Sequence, residues 1–150
     1  MILEEIHTPH LATLQAGLLY LHKQHPGSQT AVADSPFVWS FVGMLVGLAT
    51  SLGLQLECRP MGLPAWERRL RRRLWWALYS EDKWRSLLMG RPPYIRNDEW
   101  DVTDLDDDDF RIDTEVFSPD NQAPEALCAL QFQGFARLSC LADEVQQRLL

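Results

Sequence analysis

Two runs of opposite charge are the first residues in this sequence whose types and spacing could do chemistry. Between Trp66 and Arg96 stand nine Lys or Arg, and between Asp98 and Asp120 eleven Asp or Glu against a single Arg111. Arg68, Arg69, Arg72, Arg73 and Lys83 fall on helix faces away from the neighbouring leucines. They form a candidate basic surface, suited to a nuclear-import signal, an anion or an acidic partner, and the alternative is an ordinary solvated helix face. Trp76 lies within it, where an indole can stack on Arg72 or Arg73. The net charge of −7 argues against a nucleic-acid clamp built from the whole chain, which would be basic. The two runs are placed to neutralise each other.

Metal and catalytic chemistry find weaker support. Asp104, Asp106, Asp108 and Glu115 match positions 1, 3, 5 and 12 of a calcium loop, but Asp109 stands where the sharp turn needs glycine and Arg111 where an apolar residue is usual. No register of the run gives the DDxxD pattern of isoprenoid enzymes. His7 with His10 and His22 with His25 make two three-residue steps, and only Cys58 is near enough in sequence to extend either towards a four-ligand zinc site. Solvated helix-end histidines are the expected reading. Cys58, Cys128 and Cys140 are odd in number and form no CxxC pair, the usage of a reducing compartment. No nucleophile stands beside a base and no phosphate loop is present, so no catalytic, cofactor-binding or metal-binding residue is expected.

The elements that position these residues are helical. Thr8-Pro9 is a helix start, and Leu11, Leu14, Leu18, Leu19 and Leu21 recur at helical spacing until Pro26-Gly27. Asp34-Ser35-Pro36 starts a second, chargeless helix that runs towards Gly53. There Phe37, Phe41, Leu45, Leu48 and Leu52 form one stripe, and Ser40, Gly43, Gly47 and Ser51 a small-residue stripe expected to admit another helix closely. The run is long enough to weigh as a membrane span, but Ser40, Thr50, Ser51 and Gln55 dilute it and no Lys/Arg cluster flanks it.

Gly62 to Pro64 opens the helix around which the chain is organised, ending at Gly90 before Arg91-Pro92-Pro93. Its leucine face also carries Glu67, Arg71, Glu81 and Arg85, each acid four residues before an arginine, and Asp82 is placed to join the second pair. Tyr94, Ile95, Trp100 and Val102 are anchors for a segment returning over the helices. Arg91 is expected to bond helix-end carbonyls or the acidic exit. Ala123-Pro124-Glu125 begins a last helix with Leu127, Leu130, Leu138, Leu141, Val145 and Leu149 as its apolar face.

With those residues set out, a likeness is plain. Leu52-Gly53-Leu54, the Glu/Arg-rich helix with Arg72 to Trp76, Asp82, and Gly90-Arg91-Pro92 leading to Asp101 occur in the order seen in fungal zinc-cluster transcription factors. Residues 8–110 resemble their middle homology region, also described as the regulatory domain of xylanolytic transcriptional activators. The resemblance implies transcription regulation in the nucleus by an all-helical domain. It marks Trp75, Trp76, Asp82, Arg85, Gly90, Arg91 and Pro92 as the motif residues. The family's DNA and zinc binding come from an N-terminal six-cysteine cluster, which these 150 residues do not contain, so no zinc ligand or base-reading position carries over.

The expectation is one all-α domain, residues 1–150, of about four main helices with an acidic loop before the last. It would be incomplete at both ends and would contact other domains of a transcription factor, co-regulator proteins or an inducer. DNA would be reached only through a missing domain, and no membrane is expected. Alternatives are a helical protein-interaction scaffold unrelated to DNA, a small helical enzyme, and a membrane protein.

Overall fold

A computed structural model describes residues 10–22, 35–111 and 122–149, with side chains from residue 126 onward in the last segment. Four α-helices and no strands occur among these residues: α1 Leu11–Leu21, α2 Pro36–Ser51, α3 Ala65–Met89 and α4 Gln122–Leu149. Short 3-10 turns at Arg59–Met61 and Asp107–Phe110 bracket α3 and its return segment. Thr8, Pro9, His7 and His25 lie outside the described residues, and α1 ends at Leu21 with His22 as its cap.

Local chemistry sets the ends of α2 and α3. The Ser35 hydroxyl accepts the Val38 N–H at 3.2 Å, and Pro36 occupies the first turn, where no N–H is required. At the end of α3, Gly90 takes φ +60, a left-handed conformation that side chains with a Cβ resist. The Arg91 N–H then reaches back to the Ser86 carbonyl at 2.9 Å, the closing bond of a Schellman cap. The chain leaves α3 pointing back along it.

The apolar core lies where α1 and α2 meet α3. Leu14, Leu18, Phe41, Leu45, Leu48, Ala49, Leu74, Leu78 and Tyr79 are all buried there. Gly17 permits the close contact of α1 and α2, because a Cβ at that position would sit 2.4 Å from a terminal methyl of Leu45. The small-residue stripe on α2 admits no helix among the described residues. Gly43 receives the Tyr94 ring instead, whereas Gly47 faces open space. Tyr94 stacks on Trp39 with ring centroids 4.6 Å apart. No helix among the described residues is long and apolar enough to cross a membrane.

Helix α3 is buried on nearly every side. Leu74, Trp75, Trp76, Leu78, Tyr79, Ser80, Asp82, Lys83 and Ser86 are all enclosed, and successive positions on a helix point in different directions. Glu67 pairs with Arg71 at 2.9 Å and Glu81 with Arg85 at 2.7 Å, as the four-residue spacing predicts. Ile95 and Val102 are buried anchors of the return segment, and the Trp100 ring meets Trp75, Trp76 and Tyr79 at 5.3–5.9 Å.

Helix α4 overturns its sequence reading. Leu127, Leu130, Leu138, Leu141, Val145 and Leu149 are exposed, and Ala136, Ser139, Ala142, Asp143 and Gln146 are buried instead. The physical reason lies on α3. The side of α3 that meets α4 presents Ser80, Lys83, Trp84 and Ser86, and a buried ammonium without a partner would be far more costly than an exposed leucine. Only the Asp143 side of α4 satisfies it.

Candidate functional site

Three of the five basic residues expected on the surface of α3 are buried, and Arg68 and Arg73 are half-buried. Arg72 is 2% exposed and Lys83 1%, and Arg69 is buried as well. The return segment and the acidic loop cover one of these faces, and α4 the other. The solvated-face expectation fails for Arg69, Arg72 and Lys83 because the covering groups are 12 to 60 residues away in sequence and invisible to a helical wheel.

Arg72 is the centre of a clamp. Its Nε and Nη2 donate to the two carboxylate oxygens of Asp109 at 2.7 and 3.0 Å, a bidentate fork. Nη1 donates to Glu57 at 2.8 Å and to the Thr103 hydroxyl at 2.7 Å, and Nη2 also reaches the Asp104 carbonyl. All five guanidinium N–H groups are thereby used. Asp109 is itself held, since its second oxygen accepts the Asp106 N–H at 3.0 Å across the 3-10 turn. Glu57 accepts the Thr103 N–H and hydroxyl at 3.0 and 2.6 Å and the Arg59 N–H at 2.9 Å. Burial alone would raise the Glu57 carboxyl. The Thr103 and Arg59 bonds and the Arg72 charge more than reverse that and lower it to about 2. For Arg72, burial is likewise overcome by the Asp109 bonds and the surrounding carboxylates, so its pKa rises and its charge is fixed.

Asp82, one of the motif residues, does not join Glu81 and Arg85. It is fully buried, and its two oxygens accept the N–H groups of Tyr94 and Ile95, each at 2.9 Å. It thus ties the Arg91-Pro92-Pro93 exit back onto α3. Burial raises its pKa against those two bonds and the nearby Lys83. Glu81 is instead shared between Arg85 and the imidazole of His22 at 3.2 Å. Among the described residues the Arg91 side chain bonds neither carbonyls nor acids: the guanidinium carbon lies 5.4 Å from the centre of the Trp39 ring. Its own carbonyl accepts Gln146 at 2.8 Å. Trp76 does not stack on an arginine, and its indole N–H donates to the Thr103 carbonyl at 3.1 Å. Pro92 is exposed.

Lys83 forms the second buried pair, 2.8 Å from Asp143 of α4, and donates to the Ile95 carbonyl at 2.7 Å. Asn97 and Gln147 donate to the other Asp143 oxygen. Around it Ser139 donates to Ser80 at 3.0 Å, Ser86 bonds Gln146 at 2.9 Å, and Trp84 donates to Ser139 at 3.0 Å while its ring stacks on Phe135. The docking of α4 is therefore written in polar groups. Asp143, Gln146 and Glu57 were missed by sequence reasoning, because all three lie outside the basic and acidic runs.

Half-buried Arg73 is the exception among the inner arginines: burial lowers its pKa and no direct acidic partner is described for it. A cleft of about 300 Å³ opens between Arg68 and Arg69 on α3 and Asp106 and Asp108 on the loop, with the Arg59–Asp106 pair at its rim. Cys58 and Cys140 are poor nucleophiles, since burial raises the pKa of both thiols and pushes the Tyr79 phenol up as well. Among the described residues no group of three His, Cys, Asp or Glu is placed to hold a metal ion.

Among the described residues the chain is an all-α domain whose inner charges pair with one another. The chain belongs to the fungal-specific transcription factor domain family, whose model matches residues 4–148. It is 36% identical over 107 residues, 71% of the chain, to the transcriptional activator protein DAL81 of Saccharomyces cerevisiae. It is 31% identical over 97 residues, 65% of the chain, to cutinase transcription factor 1 beta of Fusarium vanettenii. An uncharacterised transcriptional regulatory protein of Schizosaccharomyces pombe is 30% identical over 101 residues, 67% of the chain. These matches span 10%, 11% and 14% of the respective relatives. No solved structure matches.

Proposed function

We propose that this chain is the regulatory domain of a nuclear fungal transcription factor and acts through contacts with other domains or co-regulator proteins, not through catalysis or direct DNA contact. The observation that carries this reading is the clamp: all five Arg72 donors are spent on Asp109, Glu57, Thr103 and Asp104. A phosphate backbone needs free cations, and the most deeply placed ones here are already neutralised. Family membership supports the regulatory role. The protonated thiols and phenol near α3 give an enzyme reading nothing to build on.

The test is to join residues 1–150 to a heterologous DNA-binding domain and measure reporter transcription in a fungal host. The intact chain is expected to raise or lower the output several-fold, and Arg72→Ala to abolish that change. A well-expressed, nuclear fusion whose output equals that of the DNA-binding domain alone would replace the regulatory reading with that of a passive scaffold.

A further inference from the structure

The outer face of α4 carries Leu127, Leu130, Leu138, Leu141, Val145 and Leu149, each 48–76% exposed. Together they leave about 600 Å² of mostly apolar residue surface on one helix, at the upper end of the roughly 300–600 Å² of the largest patch on a typical monomer. It also approaches the about 800 Å² that each partner contributes to a standard interface. The spacing is regular: positions 127, 138 and 149, 130 and 141, and 134 and 145 are each eleven residues apart. An eleven-residue repeat keeps a stripe nearly straight along a helix, so the seam runs the length of the element.

We propose that this face is a self-association surface, on which α4 of a second copy packs antiparallel across a two-fold axis between Leu138 and Leu141. Three features single out a second copy. From Leu130 to Leu149 the stripe maps onto itself in that register, with Leu138 opposite the other copy's Leu141, Gly134 opposite its Val145 and Leu130 opposite its Leu149, and Leu127 lies outside the paired span. A two-fold interface requires this self-complementarity.

Charge repeats the pattern. Arg137 and Glu144 flank the stripe on the same side, seven residues apart. In an antiparallel helix pair such flanking positions meet their own kind across the axis, so Arg137 of each copy faces Glu144 of the other, offset by only about 3 Å along the helix at 1.5 Å per residue. Both residues are exposed, and neither has a described ion pair within the monomer. In a parallel two-fold pairing the same flank of each copy would lie on opposite sides of the seam, and Arg137 would not meet Glu144.

Gly134 is the third feature. It stands in mid-helix, where glycine costs about 1 kcal/mol relative to alanine, and a Cβ there would meet nothing within 4 Å in the monomer. Opposite Val145 of a second copy, its missing side chain lets the two helices approach closely.

Sedimentation velocity and light scattering on the 150-residue chain from 1 to 200 µM supply the test. A concentration-dependent dimer is expected. Leu138→Asp, at an exposed position, should leave the far-ultraviolet circular dichroism unchanged and the chain monomeric. Arg137→Glu or Glu144→Arg alone should weaken dimerisation about tenfold, and the double variant R137E/E144R should restore it. A monomer across the whole range overturns the proposal and leaves the face to a different protein segment. A dimer indifferent to Leu138→Asp, or single charge variants that the double does not rescue, overturns it equally.

Discussion

The two contacts that α3 makes are built on opposite principles. Towards α1 and α2 it meets Leu14, Leu18, Phe41, Leu45 and Leu48, side chains whose burial is favourable in any orientation that excludes water. Towards α4 it meets Ser139, Asp143 and Gln146, side chains that are tolerated inside only if each finds a named partner. The first contact supplies stability without much direction. The second supplies little net energy, because desolvating Lys83 and Asp143 offsets much of their attraction, but it admits one geometry.

That contrast can be broken most forcefully at Lys83. Lys83→Met leaves Asp143 buried without its counter-ion and is expected to cost about 3–5 kcal/mol in urea melts. Adding Asp143→Leu should recover a large part of that loss. If the double variant is no more stable than the single, the pair does not govern how α4 docks. On the apolar side, Leu45→Ala is expected to cost about 2–4 kcal/mol through the cavity it leaves. Gly17→Ala in the same chain should return some of it, because the new methyl points at the vacated Leu45 position. Compensation by volume on one side of α3 and by charge on the other is the signature to look for.

The smallest effect should be the acid response of the clamp. The Glu57 carboxyl is lowered from 4.5 to about 2 in the folded chain. A lowered carboxyl stabilises the fold above its unfolded pKa and loses that contribution as pH falls through the folded value. Glu57 should therefore contribute about 1–2 kcal/mol after solvent screening, lost between pH 4.5 and about 2. Comparing wild type with Glu57→Gln across that window reads it out; parallel curves would mean that the Thr103 and Arg59 bonds do not favour the ionised form.

The punctuation of the fold was legible in one dimension. Ser35-Pro36, Gly62 and Gly90 announce helix ends through local backbone requirements, and Glu67–Arg71 and Glu81–Arg85 announce pairs through helical spacing. The helical wheel failed at Arg72 and Lys83 because it treats the face opposite the leucines as solvent. That face is covered by residues reached only after the chain has turned back at Gly90. It failed at α4 for a related reason. Hydrophobic patterning predicts which side would bury itself against oil, and α3 offers α4 a lysine and serines. Asp82 looked like a member of an ion pair and is a backbone tie, because the N–H groups of Tyr94 and Ile95 cannot be read from side-chain types.

The separation of the clamp's parts along the chain bears on its birth at the ribosome. Arg72 waits 37 residues for Asp109, and Lys83 waits 60 for Asp143. Synthesis at roughly 5–20 residues per second makes these delays of several seconds. During them α3 can collapse onto α1 and α2, but its cationic side stays wet and available to anionic surfaces, nucleic acid among them. A nascent chain stalled before the acidic loop would thus carry a charge profile opposite to that of the finished protein.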